Sequence, residues 1–267
     1  MLEPGRADRR YWRDLWRYRE LLAFLAWRDI KVRYKQAVLG IAWALVQPII
    51  TMVVFTFVFG RLANMPSGSI PYPMLVLAGL LPWQLFCAAF SGSSGSLVSN
   101  ANLVSKVYFP RLVVPLSALA VALVDFLVVA GLYLSATVWF EVWPTWRLLF
   151  LPVFVLVALL IALGAGLWLT ALTVKYRDFR FIVPFLLQVG VFVTPVGYRT
   201  DNLPNWRELI ALNPLSGVID GFRWCLLGGT HDFSAQGLGT SILLITITCV
   251  TGVWFFRRTE RGFADII

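Results

Sequence analysis

The residues able to do acid–base, metal or nucleophile chemistry are few and scattered. There is a single histidine, His231, and although Asp232 follows it, no second acid lies nearby in the chain. That is the pattern of a solvated turn, not of a catalytic pair. The cysteines, Cys87, Cys225 and Cys249, are odd in number, far apart and in apolar settings, which indicates neither a disulfide framework nor a zinc site. Ser91-Gly92-Ser93-Ser94-Gly95-Ser96 is rich in small residues, but no lysine follows in register and no strand precedes it. Close helix packing is its reading, not a phosphate loop. No GxxxxGK[S/T] run occurs, so the chain has no loop of its own to cradle ATP phosphates. Asp125 is the one acidic residue near the middle of a long apolar run. A charge there costs ~2.5–3.5 kcal/mol on insertion scales, so it must be paired, protonated or turned inward. A proton relay needs further acids or a histidine along the path, and the apolar runs supply none. A structural hydrogen bond is expected for Asp125, to Gln47, Gln188 or a tyrosine. The expectation is a chain that holds no metal and no cofactor and is not itself an enzyme.

The elements that must position these residues follow from composition. Of 267 residues, 59 % are apolar and 14 % charged, with a mean hydropathy of +0.75. Soluble domains are nearer half apolar and a quarter charged, and one of this size lacks the interior to hide so much apolar surface. An all-α protein embedded in lipid is expected. Six runs are long and apolar enough to span, at residues 39–60, 72–91, 112–140, 148–174, 181–197 and 237–256. The third and fourth are long enough to tilt or protrude. The fifth is the shortest and carries Pro184 and Pro195. A cleavable leader is not expected, because residues 1–38 are charged before any long apolar run begins.

The net charge of +9 would suggest nucleic acid in a soluble protein, but here the placement of the charges matters more than their sum, and no nucleic acid is expected. Lys and Arg number ten before the first run, two in the second loop, three in the fourth and three after the last run. The remaining segments carry only Arg61, Arg147, Arg199, Arg207 and Arg223. The positive-inside rule then puts both termini in the cytoplasm and favours an even number of spans. Residues 1–38 read as an amphipathic segment in the cytoplasmic interface. Trp12, Leu15 and Trp16 repeat at helical spacing, and Tyr18, Leu21, Leu22 and Leu25 repeat it after a phase shift near Arg17 that predicts a bend or two short helices. The segment is either an anchor on anionic lipid or, in addition, a docking face for a cytoplasmic partner.

Residues 198–236 are too apolar in parts for an ordinary outer loop. A short helix is expected over 204–212, with Asn202 or Leu203 near its cap. Asn213-Pro214 then repeats the start signal, and 215–227 follows until Gly228-Gly229 stops it. Thirteen residues reach only ~20 Å against a hydrocarbon core of ~30 Å. A further span here would also move Arg257 and Arg258 outside. A re-entrant helical hairpin between spans five and six satisfies both constraints, bordering protein or a cavity.

Several passages, in order along nearly the whole chain, resemble one family: RDIKVRYKQAVLGIAWALVQP (28–48), GLLPWQLF (79–86), LVSKVYFPRLVVP (103–115), VKYRDFRFIVPF (174–185) and ALNPLSGVIDGFRW (211–224). Together they are similar to the polysaccharide-export branch of the ABC-2 permeases, the transmembrane subunits that export O-antigen, capsule or teichoic-acid chains. The resemblance implies a bacterial inner-membrane homodimer of six-span subunits, residues 39–267 forming the transmembrane domain. Two separate ATP-binding subunits would bind ATP and Mg, and the cargo would be a lipid-linked polysaccharide.

Residue roles follow from that resemblance and from local pattern. In the second loop, Asn100 or Asn102 can cap a short helix, Leu103, Val104 and Val107 make an apolar face, and Pro110 stops it. The resemblance makes it the coupling helix, with Asn102, Lys106, Tyr108, Phe109 and Arg111 as ATPase contacts; otherwise it is a membrane-surface turn. Tyr176, Arg177 and Asp178 of the fourth loop are a weaker candidate of the same kind. Phe55, Phe57, Phe59, Phe185 and Phe192 suit the C–H faces of sugar rings and would line a path, or else pack or face lipid. Asn213, Pro214, Phe222 and Trp224 would help close an outer gate. The alternatives are an ABC-2 exporter of drugs or other lipids, a membrane-bound glycan or lipid transferase, and a passive scaffold. The transferase would need a catalytic histidine or clustered acids at the membrane surface, and the sequence has no such cluster.

Overall fold

The computed structural model describes residues 8–35, 38–176, 178–202, 204–228 and 235–263, and among these there is no strand. The helices are α1 (Asp8–Arg17), α2 (Arg19–Lys35), α3 (Val38–Phe55), α4 (Tyr72–Ser99), α5 (Ala101–Lys106), α6 (Val113–Trp139), α7 (Leu151–Lys175), α8 (Phe179–Val193), α9 (Arg207–Ala211), α10 (Pro214–Leu226) and α11 (Ala235–Thr259). A π-helical stretch, Thr56–Leu62, continues α3, and a 3-10 turn, Trp146–Phe150, leads into α7. The phase shift near Arg17 corresponds to a break at Tyr18 between α1 and α2.

Five helical stretches are long and apolar enough to cross a membrane: Ala44–Leu62, Tyr72–Ser99, Val113–Trp139, Trp146–Lys175 and Gly239–Thr259. The run expected as the fifth span forms α8, whose 15 residues extend only ~22 Å at 1.5 Å per residue. Its end has a local cause. Pro195 crowds the residue before it out of the helical region, and Thr194 sits at φ −87°, ψ 137°.

Helix α4 is the axis of the fold, packed by α6 and α7 and, further along, by α3, α8 and α10. Its small residues admit these neighbours closely. A Cβ on Gly166 of α7 would lie 2.0 Å from the Ser93 hydroxyl oxygen, and Thr170 donates to the Ser93 carbonyl at 2.8 Å. Helices α7 and α11 meet through Gly164 and Gly252, where a Cβ on Gly252 would lie 2.3 Å from the Gly164 carbonyl oxygen. The interior forms two cores. The larger joins α4, α6, α7 and α10 around residues such as Met74, Leu81, Phe126 and Phe222. The second joins Leu25 of α2, Val104 of α5, Phe109, Ala171 of α7, Phe256 of α11 and Phe263, with Tyr11, Leu15 and Leu22 against it. Tyr11 and Leu15 of α1 and Leu22 and Leu25 of α2 are therefore seated on one end of the helical bundle, whereas Trp12 and Trp16, expected on the same apolar face, are exposed.

Candidate functional site

In the turn just beyond the end of α8, three successive carbonyls are satisfied by side chains from two other helices. Arg223 of α10 donates to the carbonyls of Val196 at 2.8 Å and Tyr198 at 2.9 Å, and Tyr72 at the start of α4 donates to that of Gly197 at 2.6 Å. Arg223 is wholly buried. A buried guanidinium is costly without such acceptors, so the turn and the arginine require each other. Gly79 makes the approach possible: a Cβ there would lie 2.5 Å from the Val196 oxygen and 3.1 Å from an Arg223 Nη atom. Sequence reasoning placed Arg223 only among the charges of the side poorer in them. The available signal was one arginine in the otherwise largely apolar 215–227 segment.

The local start of α10 follows the expected chemistry. Asn213 is the N-cap, its Oδ1 accepting from the Leu215 amide at 3.0 Å, and Pro214 takes the first helical position. Asn213 Nδ2 donates to the Thr194 hydroxyl at 2.9 Å, tying the cap to the end of α8. Gly228, at φ +60°, follows the C-cap, where only glycine is at ease. Phe222 is fully buried edge-to-face against Phe126, with centroids 6.1 Å apart, so it anchors α10 and faces no opening in this chain. Trp224 is half-buried at the rim. It packs on Trp146 and Phe150, and the Arg147 guanidinium lies 4.9 Å from its ring centroid.

Of the aromatics singled out for a path, the structure brings three together. Phe55 lies 5.4 Å from Phe59 and 6.0 Å from Phe192, and Phe59 lies 6.0 Å from Tyr198, so the end of α3 and the end of α8 share one aromatic cluster. Phe55 is buried within it, whereas Phe192 is exposed. Phe185, two turns from Phe192 along α8, is also exposed, as is Phe57 in the π-helical stretch that continues α3.

Asp125 is paired. Its Oδ1 accepts from the Tyr34 hydroxyl at 2.6 Å, and the Arg33 guanidinium lies 2.9 Å from Oδ2 as an ion pair. The tyrosine among the expected partners is thus Tyr34, and neither Gln47 nor Gln188 is used; the arginine was not anticipated. Both partners come from the last turn of α2, which packs along α6. Burial, and then the neighbouring carboxylate, push the Tyr34 phenol up to about 12, which keeps it a donor.

At the other end of the bundle, α5 is shorter than expected. It ends at Lys106, and Val107 is extended and exposed, not part of an apolar face. Asn100 holds the N-cap position, but its side chain is occupied elsewhere, donating to the Ser96 carbonyl at 2.9 Å and accepting from Arg28 at 2.7 Å. Asn102, Lys106 and Tyr108 are exposed. Phe109 is buried in the second core, and Arg111 donates to the Glu260 carbonyl and lies over the Phe263 ring, so these two hold the loop to the tail. Tyr176 and Asp178 are exposed between α7 and α8. Arg177, like His231 and Asp232, lies outside the described residues. Among the described residues, no three His, Cys, Asp or Glu side chains converge as a metal site would require.

Comparison with known proteins bears on what this arrangement does. The family model described as ABC-2 type transporter matches residues 20–227. The chain is 32 % identical to the O-antigen export system permease protein RfbA of Myxococcus xanthus over 216 residues, 79 % of this chain and 82 % of that protein. It is 27 % identical to the protein of the same name from Klebsiella pneumoniae over 252 residues, 93 % and 95 % of the two chains. It is 23 % identical to the polysialic acid transport protein KpsM of Escherichia coli over 249 residues, 88 % and 92 % of the two.

Proposed function

We infer the function from one premise: the chain belongs to the ABC-2 type transporter family. It is a multi-pass permease of the inner membrane, the transport subunit of a polysaccharide exporter, and not itself catalytic. The observation that carries this reading is near full-length likeness to permeases of O-antigen and polysialic acid export, on a bundle of membrane-length helices.

The finer reading is a proposal. The permease works as a homodimer on two separate ATPase subunits, which bind the ATP and Mg, and its cargo is lipid-linked. Residues 1–38 form the cytoplasmic segment and 39–267 the transmembrane domain. Helix α8 completes a sixth crossing together with the turn beyond it, and α9–α10 form a re-entrant hairpin, leaving both termini cytoplasmic. Support comes from the charge asymmetry and from α10, most of which is buried among α4, α7 and α11 although it is too short to span. A dimer is supported by the faces of α3 and α8, where Ile50, Val53, Phe57, Phe181, Phe185 and Phe192 are exposed together in the single chain. A path between two such faces would meet Phe57, Phe185 and Phe192 directly, with Phe55 and Phe59 behind them. Aromatic faces bind sugar rings without demanding one identity, which suits a polymer that must slide. ATP-driven rocking would enter through the loop around Lys106 and Tyr108, with Asn102, Tyr176, Arg177 and Asp178 as flanking contacts. Asn213 and Pro214 would set the hairpin at the outer mouth, and Trp224 would sit at its rim.

The test is co-purification with candidate ATPases bearing a Walker loop, followed by ATPase assay with and without lipid-linked glycan. A stable complex whose hydrolysis responds to the glycan is expected. Failure of every candidate to bind, or hydrolysis indifferent to glycan, would overturn the reading.

A further inference from the structure

Where α1 meets the end of α11, the two helices are fastened by Tyr11, which donates to Glu260 at 3.0 Å, and by Arg257, whose guanidinium lies 4.5 Å from the Tyr11 ring centroid. Beside this fastening lies a groove of about 570 Å³, lined chiefly by Trp12, Val250, Val253, Trp254, Arg257 and Arg258. Its two ends differ in chemistry. Val250 and Val253 make an apolar wall, continuous along α11 with the exposed Leu243 and Ile247 at helical spacing. Arg257 and Arg258 close the other end, about two turns or ~10 Å further along the helix. Trp254 stands between, with the Arg258 guanidinium 5.4 Å from its ring centroid, and the exposed Trp12 faces it from α1. Among the described residues, no acidic side chain lines the groove.

We propose that this groove binds an anionic phospholipid, its phosphate diester held by the exposed Arg258 with the Arg257 charge beside it, and an acyl chain lying against Val250 and Val253 between the two tryptophans. Charge complementarity carries the choice of occupant. The groove presents cations at the level where a span ends and hydrocarbon above it, with indole rings at the boundary, as an anionic lipid of that leaflet requires. The position argues against the cargo's own lipid as occupant: α11 packs on α7 and α10, whereas the aromatic cluster proposed for the path lies between α3 and α8. The inference goes beyond the transport reading and needs only that α11 spans.

Native mass spectrometry of the full-length protein tests it, with the protein taken from vesicles of equal phosphatidylglycerol and phosphatidylcholine. Wild type is expected to retain phosphatidylglycerol preferentially, by about five-fold for the Arg258 contact. Arg258→Gln should reduce the preference by about that factor, Arg258→Lys should keep most of it, and Trp254→Ala should lower retention of both lipids. Arg258 and Trp254 are exposed, so these variants are expected to fold, and thermal melting of each confirms that. Equal retention of the two lipids, a preference unchanged in Arg258→Gln, or displacement of phosphatidylglycerol by lipid-linked glycan would each overturn the proposal.

Discussion

Arg223 on α10 donates to the carbonyl of Val196 at 2.8 Å, so α10 holds the turn at the end of α8 in place. Removing the guanidinium leaves the Val196 and Tyr198 carbonyls buried without their donor. Arg223→Leu is expected to lower stability by about 2–4 kcal/mol. Arg223→Lys should recover only part, since one ammonium does not reproduce a fork reaching both carbonyls. Thermal unfolding of the purified variants checks this, and an unchanged melting temperature in Arg223→Leu would remove the proposed role.

Asp125→Asn keeps an acceptor for Tyr34 and loses the ion pair with Arg33. The Arg33 side chain is 56 % exposed, which weakens the pair, so a cost of about 1 kcal/mol is expected, with most export retained. A double-mutant cycle with Arg33→Gln measures the coupling. The Tyr34 phenol is raised from 10.0 to about 12, so the stability it contributes is complete below its ordinary pKa and is lost only as pH climbs through that range. Export should therefore show no new pH dependence between about 6 and 9 on this account. A large loss of export in a folded, assembled Asp125→Asn protein would contradict a structural role.

Lys106→Ala and Tyr108→Ala should insert and fold normally, because both side chains are exposed, yet weaken the link between ATP hydrolysis and export. Phe109→Ala should instead destabilise the chain itself, by about 3–5 kcal/mol, since that ring is buried in the second core. Parallel assays of export, hydrolysis and melting separate the two behaviours. Normal coupling in the Lys106/Tyr108 double variant would count against the docking loop.

Two glycine substitutions should differ in whether they can be rescued. Gly166→Ala collides with the Ser93 hydroxyl, which Ser93→Gly removes, so the double variant should regain much of a loss of about 1–3 kcal/mol. Gly252→Ala meets the Gly164 backbone carbonyl, and no side-chain change relieves it. Equal melting temperatures for Gly166→Ala and its double variant would show that the α4–α7 contact is looser than described.

The orientation can be read by labelling. Single cysteines at Glu141 and Asp201, both exposed, should react with an impermeant thiol reagent applied outside, and cysteines at Ser105 and Tyr176 only from the cytoplasmic side. Reaction of Asp201→Cys from the cytoplasm alone would rule out the proposed sixth crossing.

Much was legible without coordinates where the cause is local. The phase shift near Arg17, Asn213 as cap with Pro214 after it, and the glycine stop at Gly228 each depend on residues within a turn of one another, and each appears in the structure where the pattern predicts it. The apolar runs likewise determined an all-helical membrane protein, and the motifs from 28 to 224 pointed to the family. The end of α8 at Thr194 was half-legible: Pro184 and Pro195 left the ends of the fifth run open, and the extended backbone of Thr194 fixes the stop.

Tertiary structure alone decided the partners. Asp125 plainly needed one, yet Tyr34 and Arg33 lie more than ninety positions earlier, and Arg223 reaches back to carbonyls of Val196 and Tyr198 across three short helical stretches. Phe109 and Tyr108 are adjacent and both aromatic, yet one is buried and the other exposed, because the second core is assembled from α2, α7, α11 and the tail. Periodicity reports which face of a helix is apolar, since that is set by successive residues on one axis. Which polar group meets which is set by how separate axes pack, and a buried charge is tolerated only where that packing delivers an acceptor to it.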